Sequence, residues 1–450
     1  MSVNPQIANS ISPSFCAAKW TQVTLHLQTG QTHSCHHPPT HQIPVDLLKE
    51  NPSILHNTPY KVSQREMMMK GERPKECDYC WKAEDLGNVV SDRHIKTESF
   101  WSQPFIDDIV KNPLNTKFNP KYVEISFGNL CNLKCSYCSP NFSSQWQDEI
   151  EKHGPYPTSN SFNSSKYSYE KFYLNNEFNP YVDAWWRWYD TLIDDLLVLR
   201  VTGGEPFLNK NLQLLLEKLL QNPKPHLILA INSNLCVPNS VHTKIFDLVK
   251  KLLETKSIRK FELYTSCEAF GKKAEYIRWG LQYKEWKQNV LKWGRELKNV
   301  RITIMSTFNL LSITSYLEFL QDVHMIKKSL NEGSYLYLDM PYLRYPLHQV
   351  AWLAPPYYRF HLVNCLDFIK QNLKMYPLPG FYQSEQMKFE RIIALCDKEW
   401  EDPNWFEKHQ TQRWDFVKFV DEHDRRRNSN FLETFPEMRD FYNLIKNDLN

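Results

Sequence analysis

Three cysteines fall within eight residues, CNLKCSYC, at Cys131, Cys135 and Cys138. Thiolates are soft ligands suited to zinc, copper(I) and iron–sulfur clusters. A structural zinc ion takes four protein ligands, commonly as two cysteine pairs, so a lone triplet at this spacing suits zinc poorly. A cubane normally takes four cysteines, and three leave one iron open for a small chelating ligand. The spacing therefore points to a catalytic [4Fe-4S] centre. A second set, Cys16, Cys35, Cys77 and Cys80, is enough for one further complete site, an iron–sulfur cluster or zinc. His36 and His37 follow Cys35 directly and read as surface residues on a turn, with replacement of a thiol as the alternative. Cys236, Cys267, Cys365 and Cys396 are scattered and read as small buried hydrophobes.

The elements that must position these thiols are legible downstream of the triplet. YVEISFGN (122–129) is rich in β-branched and aromatic residues and runs straight into the cysteine loop; LLVLRVTGGEP, HLILAINSN, KFELYTSCE, VRITIMSTFN and YLYLDMPYL repeat that pattern. Between them lie stretches of helical periodicity, among them NKNLQLLLEKLLQN, SVHTKIFDLVKKLLETK and AEYIRWGLQYKEWKQNVLKW. Alternating short apolar strands and helices predict parallel pairing, hence an α/β barrel or a doubly wound sheet with its working residues at strand C-termini. The polar stretch HGPYPTSNSFNSSKYSYEKF reads as an inserted loop, a lid or a solvated insertion, followed by a helix bearing Trp185, Trp186, Trp188 and Tyr189 as core or substrate wall. Before residue 115, FCAAKWTQVTLHLQTGQTHSC predicts two short strands around Gly30, and a basic helical stretch then leads into CDYCWKAEDLG. Beyond Tyr358 further helical patterns appear without strand signal. The expected division is 1–115, 116–358 and 359–450.

Composition narrows the class. Of 450 residues, 42% are apolar and 14% aromatic, and the net charge is +3, which predicts a globular chain with a sizeable core. No basic block exceeds Arg425, Arg426 and Arg427, so charge gives no case for nucleic acid as the main partner. The start, MSVNPQIANSISPSFC, lacks a basic region and an apolar core of signal type, and no apolar run reaches bilayer length. The expected location is the cytoplasm, where a reducing environment favours metal ligands over disulfides.

CNLKCSYC resembles the CxxxCxxC signature of the radical S-adenosylmethionine (SAM) enzymes, including the aromatic Tyr137 before the last cysteine. VTGGEPF resembles that superfamily's GGE motif at the end of the second strand, with Gly203, Gly204 and Glu205 in place; the glycines would admit a ligand close to the backbone and Glu205 would accept from an ammonium. INSN (Asn232, Ser233, Asn234) resembles the polar strand end near the SAM ribose and carboxylate. In TSCEAFGKKAEYIRWG the resemblance gives Ser266 and Glu268 the ribose hydroxyls and Arg278 the SAM carboxylate. It covers residues 122 to about 358 and implies a partial (β/α)6 TIM-type barrel. It also implies cleavage of SAM at the [4Fe-4S] cluster to a 5'-deoxyadenosyl radical that abstracts hydrogen, electrons from a flavodoxin or ferredoxin, and a peptide or protein as substrate. The N-terminal cysteines, with Ser91 and Arg93 after CDYCWKAEDLG, resemble a Twitch/SPASM auxiliary-cluster domain, placed here before the barrel and not after it. Two other functions compete: a zinc-stapled, non-catalytic binding protein using His423 to Asn428 as a phosphate or RNA contact, and an RNA-modifying enzyme with the same cofactor.

Overall fold

The computed structural model describes residues 3–87, 90–160, 173 and 177–449. Most of the polar insertion, 161–172, lies outside the described residues. The fold class is α/β, with a large, mostly parallel sheet and twenty α-helices among the described residues. The strands, in chain order, are β1 (Gln22–His26), β2 (Gln31–His33), β3 (His41–Gln42), β4 (Tyr122–Ser126), β5 (Lys134–Cys135), β6 (Val198–Thr202), β7 (Lys224–Asn232), β8 (Ile258–Ser266), β9 (Arg278–Trp279), β10 (Arg301–Met305) and β11 (Tyr335–Asp339). All six strands expected from the triplet onward form. No helix among the described residues is long and apolar enough to cross a membrane.

The chain forms two compact units, and their boundaries do not follow the expected segments. One unit comprises residues 1–129, 168–231 and 251–261. There β4 pairs in parallel with β6, and β6 with β7. Val123, Ile125, Leu199, Val201, Leu227, Leu229 and Ile231 are buried, as a sheet covered on both faces requires. The helix Lys210–Gln221 buries Leu212, Leu215, Leu216 and Leu219, one stripe at helical spacing, and Asn209 caps its first turn. The hairpin around Gly30 forms as expected, but it is not separate from the sheet: β1 pairs in parallel with β4 over its whole length and antiparallel with β2. The tryptophan-rich helix, Pro180–Leu192, is core: Trp185, Trp188 and Tyr189 are buried, and Trp186 stacks on Phe127 and donates to Asn211 Oδ1 at 3.0 Å.

The other unit comprises residues 130–167, 232–250 and 262–450. In it β10 pairs in parallel with β11 and with the end of β8. The long periodic run from Ala274 does not form one helix. It divides into Gly271–Ile277 and Tyr283–Glu296, separated by β9, which pairs antiparallel with β5 inside the cysteine loop. Gly280 explains the break: its φ is +103°, and a Cβ there would sit 2.9 Å from Leu133 Cδ2 and 3.0 Å from the Asn132 carbonyl. The helices beyond residue 358 include Arg359–Gln371, Gln383–Trp400, Gln410–Arg427 and Arg439–Leu449.

Candidate metal centres

In the second unit the triplet loop is held from several sides. Ser136 N donates to the Ile277 carbonyl at 2.7 Å, extending the β5–β9 ribbon. Ser136 Oγ donates to Gln349 Oε1 at 2.7 Å, and Gln349 Nε2 returns a bond to the Ser136 carbonyl at 3.0 Å. Ser143 caps the helix Ser144–His153 and donates to the Leu133 carbonyl, and Trp146 on that helix donates its indole N–H to the Cys135 carbonyl at 3.0 Å. Behind Trp146 stands the Arg427 guanidinium, which pairs with Glu149, itself paired with Lys134 of β5. Burial pushes the Cys138 thiol up, and the Cys135 and Cys131 sulfurs add to that push, so the three thiols share one electrostatic environment.

A buried cluster abuts this loop. The register of the ribbon sets Arg278 opposite Cys135. Arg278 forks onto Glu268, with Nε to Oε1 at 3.1 Å and Nη2 to Oε2 at 2.6 Å, and its Nη1 lies 3.5 Å from Cys135 Sγ. The Tyr137 hydroxyl donates to Glu268 Oε2 at 3.1 Å and accepts from Arg278. Glu268 is fully buried and Arg278 is 6% exposed. Burial pushes the Glu268 carboxyl up, and Arg278 and Tyr137 pull it back. Three residues assigned by resemblance are thus brought together, and here their polar atoms are directed to one another and to a thiol. Ser233 Oγ accepts from Leu235 N at 3.0 Å, Asn232 and Ser266 are half-buried at the ends of β7 and β8, and Asn234 donates to Asn132 of the triplet loop at 2.9 Å.

Gly203, Gly204 and Glu205 belong to the first unit. Gly203 has φ +120°, and a Cβ would fall 2.6 Å from Ser126 Oγ and 2.9 Å from the Gly128 carbonyl, so the close approach that demands glycine is made by the chain itself. Gly204 N donates to the Gly128 carbonyl at 3.2 Å, and the buried Glu205 accepts from Phe207 N at 3.0 Å.

The first unit also gathers the second cysteine set. Cys16, Cys35, Cys77 and Cys80 line one cavity. Burial, and then the Cys35, Cys77 and Cys80 sulfurs, push the Cys16 thiol up; burial pushes Cys80 up to about 11. Lys19, ion-paired with Glu76, shares the cavity wall and lies beside Cys77. The tail of the CDYCWKAEDLG motif is a clamp: Glu84 receives Arg93 Nε at 2.7 Å, Arg93 Nη2 at 3.0 Å and Ser91 Oγ at 2.6 Å. The Arg73 and Arg93 guanidinium groups both lie over the Trp81 ring. Among the described residues the one set of three or more His, Cys, Asp or Glu donors within 4.8 Å of one another is His36, His37 and Asp92. His37 is not a loose turn residue: it hydrogen-bonds Asp92 at 2.5 Å and stacks on Tyr79, whereas His36 is largely exposed.

Of the scattered cysteines, Cys267, Cys365 and Cys396 are buried as expected, and Cys236 is half-buried with its thiol 3.6 Å from the Gln282 carbonyl. The basic stretch at 423–428 is committed internally: His423 is buried, Arg425 and Arg426 pair with Glu422, and Arg427 pairs with Glu149. Sequence reading missed Lys19, Glu84, Trp146 and Gln349. Glu84 and Trp146 had local signals, a repeatable spacing to Arg93 and a Ser143 cap; the others had none. No protein-family model matches the chain, and no curated protein matches it in sequence.

Proposed function

We propose that this protein is a radical SAM oxidoreductase with a second iron–sulfur centre at its N-terminal cysteines, acting on a peptide or protein. The observation that carries the reading is the segregation of the thiols. Three lie on one loop, where the sulfurs acting on Cys138 are Cys135 and Cys131, and four others converge on a separate cavity from positions far apart in the chain. Three ligands leave a cubane one open iron, and four close it. With this reading, β4, β6, β7, β8, β10 and β11 are the strands of the partial (β/α)6 barrel of that superfamily.

Cys131, Cys135 and Cys138 would hold the catalytic cubane, and Cys16, Cys35, Cys77 and Cys80 the auxiliary one. When bound, the catalytic cluster and its SAM ligand supply one-electron cleavage of the sulfonium bond and hence hydrogen abstraction from the substrate. The protein's own share is support. Trp146, Ser136 and Gln349 fix the loop backbone. Arg278, its charge held by Glu268, offers an N–H to the Cys135 sulfur, which favours the thiolate that a metal requires. The SAM contacts that the resemblance gives to Glu268 and Arg278 would require the two to share their donors and acceptors between the cofactor and each other.

The test is anaerobic reconstitution with iron and sulfide, followed by metal analysis and assay of the reduced protein with SAM. Two clusters and formation of 5'-deoxyadenosine are expected, and replacement of Cys131, Cys135 and Cys138 by Ala should remove one cluster and all 5'-deoxyadenosine. A colourless protein with stoichiometric zinc and no turnover would sink the reading in favour of the zinc-stapled binder.

A further inference from the structure

The loop that follows β2 carries two adjacent histidines, and both turn toward one carboxylate. His37 Nε2 lies 2.5 Å from Asp92 Oδ2, and His36 Nε2 lies 3.9 Å from the same oxygen. Asp92 opens the helix Asp92–Thr97, so the three donors join a loop to a helix 55 residues further along the chain. No other charged side chain claims this carboxylate. The neighbouring Arg93 is paired with Glu84, and among the described residues the ion pairs of Asp92 are with His36 and His37 alone. Tyr79 holds the His37 ring in its plane, with centroids 3.7 Å apart and the rings 9° from parallel. The His36 ring is tilted 49° against that of His37, at 4.1 Å, and its side chain is 65% exposed.

A hydrogen bond to Asp92 uses His37 only. It leaves the second imidazole nitrogen, near the same oxygen, without an account. A shared metal ion supplies one. Imidazole is the commonest metal ligand, and two imidazoles with a carboxylate suit zinc, cobalt(II) or nickel(II) better than magnesium or calcium, which take oxygen. Two donors on one tetrahedral ion, with bonds of about 2.0–2.1 Å, stand about 3.3 Å apart. The separations here, 2.5 and 3.9 Å, lie on either side of that value, and a turn of the exposed His36 ring would narrow the wider one. An ion with three protein ligands keeps a position for water, and the exposure of His36 leaves that side open.

We propose that His36, His37 and Asp92 form a metal site of their own, for a divalent transition ion of the zinc type, separate from both cysteine sets. The site does not depend on which metal those cysteines take. His37 also lines the four-cysteine cavity, so an ion on these three residues ties the loop after Cys35 to the helix Asp92–Thr97 at the wall of that cavity.

Cobalt(II) is the probe, because its absorption reports its ligands. Thiolates give an intense sulfur-to-cobalt band in the near ultraviolet, whereas nitrogen and oxygen ligands give only weak visible bands. The full chain, with its cysteines intact and reduced, is titrated with cobalt(II) and analysed for bound metal; one equivalent held without sulfur is expected. His36→Ala, at an exposed side chain, and Asp92→Asn, which keeps the size of the group, should each weaken that equivalent by about tenfold or more. The sulfur-to-cobalt band should stay the same in both. If Asp92→Asn does not fold, His36→Ala gives the same readout. A wild type with no cobalt beyond the sulfur-bound equivalents, or a nitrogen–oxygen equivalent that survives His36→Ala, overturns the site. A sulfur-to-cobalt band that shrinks in His36→Ala also overturns it, because the histidine then belongs to the cysteine centre.

Discussion

Arg278 shows how much one side chain can couple. It is opposite Cys135 in the β5–β9 ribbon, forks onto Glu268 and reaches the Tyr137 hydroxyl, and both members of its ion pair are buried. Removing the counter-charge should therefore be far worse than removing an exposed ion pair. Glu268→Gln is expected to cost about 3–5 kcal/mol of stability in denaturant titration, because it leaves a buried guanidinium uncompensated. A loss below about 1 kcal/mol, the range of exposed pairs, would show that Arg278 finds another anion or solvent. Nothing in TSCEAFGKKAEYIRWG announces this pairing. The spacing of Glu268 and Arg278 fits two separate polar residues equally well, and the meeting with Cys135 depends on the ribbon register.

At the scale of elements, the triplet loop depends on chain segments that the helical periodicity conceals. Apolar residues from Ala274 to Trp293 recur at helical spacing, yet Gly280 at φ +103° lets the chain turn out of the helix and lie against Leu133 and Asn132. Gly280→Ala would meet both steric obstacles and a disfavoured backbone, a cost of about 1–3 kcal/mol. Because the strain would fall on the triplet loop, this variant should load about one cluster fewer than wild type on reconstitution, whereas an equally destabilising core change distant from the loop should load both. Equal loading in the two variants would show that the ribbon does not position the thiols. The N-terminal hairpin teaches the same lesson. Its two strands and the Gly30 turn were readable, but the parallel pairing of β1 with β4 was not, since strand pairing across about a hundred residues leaves no local periodicity.

For the molecule as a whole, buried histidines set the response to acid. His242 accepts from the Trp293 indole at 2.9 Å, His348 is buried beside Phe419, and His423 is enclosed by Tyr276 and Phe419. Burial holds them at about 4, about 3 and about 4 in turn, all below the ordinary value of 6.5. Between pH 6.5 and 4 the unfolded chain therefore binds protons that the folded chain refuses, and stability declines as pH falls through that window. Thermal unfolding followed from pH 7.5 to 5 should show a continuous fall in Tm beginning near 6.5, and His423→Gln should flatten it. A Tm independent of pH down to 5 would contradict the burial of these rings.

The sequence by itself determined the period of each strand and helix and the division of seven cysteines into three and four, since both are matters of local spacing that the chain carries wherever it folds. Only the tertiary structure decided which charges face those thiols: Arg278 beside Cys135 and Lys19 beside Cys77. Those partnerships follow from sheet register and helix packing, and the free energy that selects them is desolvation, which depends on what surrounds a residue in space and not on its neighbours in the chain.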